Sequence, residues 1–256
     1  CDWSSDVCSS DLKLGFEHPE LATAAKTWGG DWWKGGGGGA IWDGMAYDPF
    51  SKLVFAMNHD SGDATLVDPT AKKAVATIPI GGELEFPASD GAGKVFVNVE
   101  DKVEIAVIDV KARTVTARYK LVGCERPTGL AYAAQAKLLI SSCGGNGVAK
   151  ILHADDGTEA ATVPIAKGAD AVMYDAGRKL AFIPCRDGML EILSLADPAH
   201  IAAIQHVSTQ AGSRTGTLDP GTGRVYMMAA KFGPPQPTGG RAQALPGTFE
   251  VLVAGP

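Results

Sequence analysis

Residues 84–121 read LEFPASDGAGKVFVNVEDKVEIAVIDVKARTVTARYKL, and they divide into four short apolar segments separated by turn-forming residues. Segments of this length, rich in Val, Ile, Ala and Thr, predict β-strands. The unit recurs along the chain, and a basic residue opens its second strand each time, at spacings of 42, 43, 42 and 45 residues. These basic residues are Lys52, Lys94, Lys137, Lys179 and Arg224. Four strands in a repeat of about 42 residues predict a β-propeller.

Packing explains why such units form a ring. A four-stranded sheet of alternating small and branched residues has two faces to bury, and the sequence offers no helix to cover them. A neighbouring copy of the same sheet can bury each face. We therefore expect an all-β fold, a β-propeller of four-stranded antiparallel blades. Four complete units and a fifth partial one are present, so about five blades are expected.

The repeats resemble the YVTN-repeat propellers of the YncE-like group, within the WD40/YVTN repeat-like superfamily, over about residues 47–254. The matching motifs are IPIGGELEF, DGAGKVFVNVEDK, IAVIDVK, GCERPTGLAY, RTGTLDPGTGRVYMMAAKFGPP and PGTFEVLV. The resemblance implies a seven-bladed, non-catalytic binding or scaffold protein in the periplasm or outside the cell. We therefore interpret residues 47–256 as a propeller truncated from seven blades, and expect an open or strained ring.

The chain before the repeats consists of two different pieces. Residues 1–12, CDWSSDVCSSDL, resemble a translated sequencing adapter, so we interpret them as an artefactual or disordered tail without a signal peptide. Residues 13–46 form a Trp- and Gly-rich segment. Whether the chain is a natural protein or an assembly of unrelated fragments stays open.

Within residues 13–49, the stretch WGGDWWKGGGGGAIWDGMAYDP resembles alcohol dehydrogenases that use pyrroloquinoline quinone (PQQ) and calcium. The resemblance implies that Trp42 stacks on the quinone. The family threonine after the glycines is Ala40 here, and the metal-binding Gly-x-Gly-Asn, the adjacent cysteine pair and the catalytic Asp are missing. We therefore expect no cofactor and no catalytic residue. The alternative is a PQQ-dependent alcohol dehydrogenase fragment with PQQ and calcium.

The repeat register also predicts a ligand site. Nine residues before each basic residue lies the start of a blade's innermost strand, where polar side chains should ring the mouth of the axial channel: Asp43, Glu85, Thr128, Asp170 and Thr215. Their carboxylates could hold calcium or a polar ligand. Nearby bases could instead receive an anion: Arg126, Arg214, Arg186 and Lys231. The alternative is that these residues only solvate a water-filled funnel.

The cysteines suggest one disulfide and no metal site. Cys124 and Cys143 bracket a predicted hairpin within reach of each other, so they form either a disulfide or two buried thiols. Cys185 is interpreted as a small core residue. No CxxC pair or histidine cluster has the spacing of a zinc site.

Composition excludes several classes of partner. The net charge is −6, so no basic surface is expected for duplex DNA, although single-stranded nucleic acid remains a weak alternative. No apolar run is long enough to span a membrane. The sequence therefore favours a non-catalytic, exported propeller whose polar axial channel binds a small ligand or a protein.

Overall fold

The computed structural model describes residues 44–234, 242 and 244–256. These residues form strands, turns and irregular segments without a helix, so none of them belongs to a helix that could cross a membrane. The tail at residues 1–12 lies outside the described range. Residues 13–43 of the quinoprotein-like segment also lie outside the described range, and they include Trp42 and Asp43.

The described strands form five antiparallel sheets, each a blade whose strands follow one another in chain order. Blade 1 consists of β1 (Met45–Asp48), β2 (Leu53–Asn58), β3 (Asp63–Asp68) and β4 (Lys73–Pro79). Blade 2 consists of β5 (Leu84–Ser89), β6 (Lys94–Val99), β7 (Glu104–Asp109) and β8 (Thr114–Lys120). Blade 3 consists of β9 (Pro127–Ala133), β10 (Leu138–Cys143), β11 (Val148–His153) and β12 (Glu159–Pro164). Blade 4 consists of β13 (Met173–Asp175), β14 (Leu180–Cys185), β15 (Met189–Ser194) and β16 (Ala202–Ser208). Blade 5 consists of β17 (Gly216–Asp219), β18 (Arg224–Ala229) and β19 (Glu250–Ala254).

This arrangement confirms the predicted fold class, a β-propeller with five blades. The first strands of successive blades contact one another, which places them on the inside of the arc. The strand introduced by a basic residue is the second strand in every blade. Blade 5 differs from the others because it has three strands in the described part of the chain. The original number of seven blades stays a prediction.

In blades 1, 2, 4 and 5 an aspartate accepts backbone hydrogen bonds in the turn before the second strand. Asp48 accepts a hydrogen bond from the Ser51 backbone N–H at 2.8 Å, and Asp175 accepts one from the Arg178 N–H at 2.9 Å. Asp90 and Asp219 accept equivalent bonds in blades 2 and 5. The aspartates thus stabilise the tight turns that fix the register of the repeat.

The hydrophobic core lies between the blades. Four clusters of buried side chains fill the four successive interfaces from blade 1 to blade 5. Phe55 and Val97, for example, belong to the cluster between blades 1 and 2, whereas Phe96 and Leu139 belong to the next. Each fully buried side chain of this size stabilises the fold by about 1.5–3 kcal/mol. The sheets therefore bury both faces against their neighbours, as the repeat predicts.

The two terminal blades each leave one face exposed. Met45 and Tyr47 of β1 are 66% and 55% exposed, and Val251 and Val253 of β19 are 52% and 55% exposed. None of the clusters found among the described residues joins blade 5 to blade 1. The described blades therefore form an arc whose end faces are apolar.

Candidate ligand site at the channel mouth

The described members of the predicted polar ring lie at or just before the starts of successive inner strands. Glu85 and Thr128 are the second residues of β5 and β9, and Asp170 and Thr215 precede β13 and β17. Asp43, the fifth member, lies outside the described residues. The repeat register thus brings these four positions to one end of the arc, where the inner strands begin.

Charged side chains at this end lie next to side chains of opposite charge. We name this group the mouth network; its members are His59, Glu85, Glu100, Arg126, Asp170 and Arg214. Arg214 Nε lies 3.0 Å from Asp170 Oδ2, and Arg126 Nε lies 2.7 Å from Glu100 Oε1. The Glu85 carboxylate lies 3.6 Å from Nδ1 of the His59 ring. Glu85, Arg126, Asp170 and Arg214 come from blades 2, 3, 4 and 5, so the sign of the charge alternates from one blade to the next.

Arg126 is the centre of the mouth network. A hydrogen bond to Glu100 and the charge of that carboxylate raise the pKa of Arg126, despite a smaller opposing effect of burial. The charges of Asp170 and Glu85 raise this pKa further. Arg126 is therefore bound by one carboxylate, that of Glu100, and lies in the field of two others. Two of the bases expected to receive an anion, Arg126 and Arg214, are thus each paired with a neighbouring acid.

Thr128 supports the backbone instead of facing the channel. Its side chain is buried, with the whole residue 5% exposed. The hydroxyl group donates a 2.7 Å hydrogen bond to the carbonyl oxygen of Ala169, which precedes the inner strand of the next blade. Asn98 donates to the carbonyl oxygens of Thr128 and Gly129 at 2.9 and 3.1 Å. Thr128 thus connects the inner strands of blades 3 and 4.

A calcium and quinone site does not fit the described residues. Among residues 44–234, 242 and 244–256, no group of three His, Cys, Asp or Glu side chains is placed to hold a metal ion. Asp170 forms an ion pair with Arg214, and this pairing makes the Asp170 carboxylate a poorer ligand for a cation. Trp42, the expected stacking residue, falls outside the described range. The structure therefore offers no donor set through which a PQQ reaction could be derived.

Arg186 and Lys231 lie in a depression of about 670 Å³ beside the mouth network, which we name the basic depression. The Arg186 backbone N–H donates to Gly168 O at 3.0 Å, and its carbonyl accepts a 2.8 Å bond from Gly212 N–H. Lys231 follows β18, and its N–H donates to Thr248 Oγ1 at 3.0 Å. Among the described residues, its lining is Arg186, Gln210, Ala211, Gly212, Ala230, Lys231, Phe232 and Leu245.

The connection between β16 and β17 contains Arg214 and borders the basic depression. Three of its polar atoms, Thr209 Oγ1, Gln210 Nε2 and Ser213 Oγ, are buried without a hydrogen-bond partner among the described residues. Buried polar atoms in folded proteins are nearly always paired with protein or ordered water. This connection therefore has unused hydrogen-bonding capacity next to two positive charges. The sequence analysis missed Gln210, because a glutamine in a loop has no distinctive spacing.

Cys124 and Cys143 form a disulfide, with their Cα atoms 5.4 Å apart. It connects the segment before β9 to the end of β10, so it closes the hairpin that begins blade 3. Cys185 is buried as a free thiol in the cluster between blades 3 and 4. Burial, together with the negative charges of Glu191 and Asp187, raises the pKa of this thiol to about 12.

Comparisons with known proteins bear on the quinoprotein resemblance and on the propeller fold. No protein-family model matches the chain. The quinohemoprotein alcohol dehydrogenase ADH IIB of Pseudomonas putida is 54% identical over 54 residues, which are 21% of this chain and 8% of that protein. The match supports a quinoprotein-like segment. The chain spans less than a tenth of the relative's length, and the YVTN-repeat assignment stays a prediction.

Solved structures are similar to the propeller. The hydrazine synthase of Kuenenia stuttgartiensis aligns with a TM-score of 0.64 and 14% identity, covering 73% of this chain and 56% of that chain. A chain in the crystal structure of the mitotic checkpoint complex aligns with a TM-score of 0.61 and 14% identity, covering 72% and 58%. This chain spans little more than half the length of either. At such low identity, the likeness shows the fold alone.

Proposed function

We propose that this protein is a non-catalytic binding propeller whose basic depression receives a small organic anion carrying a carboxylate or phosphate group. The observation that carries the proposal is the charge of the lining. Arg186 and Lys231 lie in one depression, and none of its described lining residues is acidic. Two basic side chains in the same lining favour an anion.

The mouth network serves as the rigid support of this site. Its own bases are paired with acids, so they are poor anion receptors, but Arg214 anchors the connection that contributes Gln210 and Gly212 to the depression. The volume of about 670 Å³ falls within the usual range of small-molecule sites, roughly 300–1,000 Å³. Unpaired atoms of the same connection supply further hydrogen-bonding capacity after a small rearrangement or through water.

Calorimetric titration of the full chain with inorganic phosphate, acetate, succinate and citrate tests the proposal. We expect saturable binding of at least one probe. The double variant Arg186→Gln, Lys231→Gln should weaken it at least about tenfold, because it removes two charge-assisted contacts. The double variant Lys73→Gln, Lys111→Gln removes two exposed charges, one at the start of β4 and one in the turn between β7 and β8, and should bind normally. Absence of binding to all four probes, or equal binding by both double variants, contradicts the proposal.

We also propose that the protein works in the periplasm or outside the cell. The Cys124–Cys143 disulfide supports this location, since disulfides persist in oxidising compartments and are rare in the cytosol. Fractionation of cells expressing the intact gene tests it, with the native chain recovered outside the cytosol as the expected result. Recovery of fully reduced protein from the cytosol contradicts it.

A quinoprotein oxidoreductase is the second candidate, and the 54-residue match to an alcohol dehydrogenase is the observation that favours it. The described residues do not provide its metal site. Titration with PQQ and calcium, followed by a dye-linked assay of alcohol oxidation, separates the two candidates. The binding proposal expects neither quinone absorbance on the protein nor turnover. Either signal favours the dehydrogenase.

A further inference from the structure

The turn between β10 and β11 contains an asparagine that is followed by a glycine. The chain has three asparagines, and the residues that follow them are His59, Val99 and Gly147. A glycine has no side chain to shield its backbone nitrogen, so this nitrogen can reach the side-chain carbonyl carbon of the preceding asparagine. The side chains of histidine and valine hinder the same approach. Loss of ammonia by cyclisation is therefore chemically easiest at Asn146.

The fold itself requires the glycine at this position. Gly147 has a φ of +74°, in the left-handed region that favours glycine. A Cβ atom there would also lie 2.8 Å from the carbonyl oxygen of Ile165. The hairpin of blade 3 thus places a glycine after Asn146 for structural reasons, and the reactive pair comes with it.

The side chain of Asn146 fastens the turn to the connection between β8 and β9. Its Oδ1 accepts a 3.1 Å hydrogen bond from the Glu125 N–H, and its Nδ2 donates a 2.8 Å bond to the carbonyl oxygen of Gly123. These two partners flank Cys124, whose disulfide to Cys143 joins the same connection to the end of β10. We name the two hydrogen bonds and the disulfide the Asn146 clamp.

The Asn146 clamp opposes cyclisation in the folded protein. Both ends of the Asn146 amide are bound to the neighbouring connection, and the Gly147 N–H donates a 3.0 Å hydrogen bond to the carbonyl oxygen of Cys143. Attack requires this N–H to lose its proton and the Asn146 side chain to turn toward Gly147. The reaction therefore needs a local opening of the turn, which the disulfide makes rarer.

We propose that Asn146 is a site of spontaneous deamidation and that the Cys124–Cys143 disulfide suppresses the reaction. In the opened turn the Gly147 nitrogen gives its proton to solvent and forms a bond to Asn146 Cγ. The Cγ–Nδ2 bond breaks, and Nδ2 takes up a proton and leaves as ammonia. Water then opens the cyclic imide, so that asparagine and water become aspartate or isoaspartate and ammonia. The proposal does not depend on anion binding.

The product loosens the Asn146 clamp and with it one part of the mouth network. A carboxylate has no N–H group to donate to the Gly123 carbonyl oxygen. The released connection carries Arg126, whose φ of +56° is strained for a residue with a side chain and whose carbonyl oxygen accepts a 2.9 Å bond from the Gly144 N–H. Loosening therefore lets Arg126 relax away from Glu100, its ion-pair partner.

The first test compares three rates of deamidation at mildly alkaline pH. The samples are the full chain, its double variant Cys124→Ser, Cys143→Ser, and the peptide GGNGVAK, the sequence of residues 144–150. Mass mapping and labelling by an isoaspartyl methyltransferase locate the product. We expect the peptide to react fastest and the double variant to react at least about tenfold faster than the native chain.

Two controls accompany these rates. Asn58 and Asn98 should stay unmodified in the native chain and in the double variant. Asn146→Gln, introduced into the double variant, keeps an amide but moves it one methylene group away from the Gly147 nitrogen, so it should not release ammonia. If the double variant loses its native circular dichroism, the comparison of the native chain with the peptide and the second test still decide the proposal.

The second test uses Asn146→Asp in the disulfide-bonded chain as a stand-in for the product. Amide exchange of Glu125, Gly144 and Gly145 should accelerate at least about tenfold, because these N–H groups bond across the Asn146 clamp and its turn. Exchange in residues 180–185 of blade 4 should not change. Asn58→Asp makes the same chemical change in blade 1 and should leave the three amides unaffected.

Three results would overturn the proposal. A native chain that reacts as fast as the peptide would show that the Asn146 clamp gives no protection. A folded double variant that reacts no faster than the native chain would show that the disulfide does not suppress the reaction. Unchanged exchange of the three amides in Asn146→Asp would show that the product does not loosen the connection.

Discussion

Asp48 is a buried carboxylate that connects two blades. Its side chain accepts hydrogen bonds from the Ser51 N–H at 2.8 Å, from the Ser51 hydroxyl at 2.7 Å and, across the interface, from the Ser89 hydroxyl at 2.7 Å. Burial raises the pKa of Asp48, but the hydrogen bonds from Ser51 and Ser89 outweigh it and leave the pKa below its ordinary value. The ionised form therefore stabilises the folded state.

The pH dependence of unfolding tests this role. Because the folded pKa of Asp48 is lowered, its contribution is complete above the unfolded pKa of about 4 and is lost as the pH falls through the folded pKa. Asp48→Asn should lower the free energy of unfolding by about 1–3 kcal/mol at neutral pH. Urea titrations should show that the variant loses less stability than the native chain on acidification. Asp60→Asn, at an exposed position, serves as the control, and parallel pH profiles for all three proteins would contradict the assignment.

The disulfide gives a second prediction at the scale of single residues. Cys124 and Cys143 are 19 residues apart, and a cross-link across a loop of this length stabilises a fold by about 3 kcal/mol. The variant Cys124→Ser, Cys143→Ser should lose about that free energy in urea unfolding. Intact mass should rise by two hydrogens on reduction of the native chain. An unchanged mass would show that no bridge exists.

The free thiol of Cys185 can be compared with the two cysteines of the disulfide. Burial raises the pKa of its thiol to about 12, so the nucleophilic thiolate is scarce near neutral pH. A thiol reagent should therefore modify Cys185 only after denaturation. Rapid modification of the folded native protein would mean that the interface between blades 3 and 4 opens.

At the scale of strands, the inner strand of blade 3 depends on a close approach at Gly129. A Cβ atom at this position would lie 2.5 Å from the backbone carbonyl carbon of Ala171, just before β13. Gly129→Ala should therefore destabilise the protein by about 2 kcal/mol or more, since packed backbones cannot separate cheaply. Gly177→Ala on the turn after β13 is the control, because its nearest atom is the Asp175 carboxylate oxygen at 3.3 Å. Thermal unfolding measures both, and equal melting temperatures would contradict the packing.

The repeat predicted the strands and the positions of the candidate site residues along them. It placed Glu85 and Asp170 at the starts of inner strands, because strand order and spacing depend on local sequence. It did not predict that Arg126 pairs with Glu100 or that Arg214 pairs with Asp170, since these pairs join residues far apart in sequence. A signal was nevertheless present, because charges of opposite sign alternate at nearly equivalent repeat positions from Glu85 to Arg214.

Thr128 and blade 5 show two other limits. The register placed Thr128 correctly, but alternation alone could not show that its hydroxyl bonds to Ala169 and is buried. No residue pattern shows how the three described strands of blade 5 are ordered, although the partial fifth repeat indicates where this blade lies. Sequence therefore predicted positions well and the partners of side chains poorly.

At the scale of the whole molecule, stability should vary with the number of neighbours of each blade. Blades 2, 3 and 4 pack against a blade on both sides, whereas described clusters cover blades 1 and 5 on one side only. In a repeat array, the stability of a unit is approximately its own stability plus that of its interfaces. A terminal blade therefore lacks the contribution of one interface.

Amide hydrogen exchange measures this gradient directly. Residues 94–109 and 138–153, in the second and third strands of blades 2 and 3, should exchange slowest and through global unfolding. Residues 224–229 and 250–254 of blade 5, with residues 45–48 of β1, should exchange fastest through local opening. Equal protection of all five blades in the free protein would mean that the terminal faces are covered.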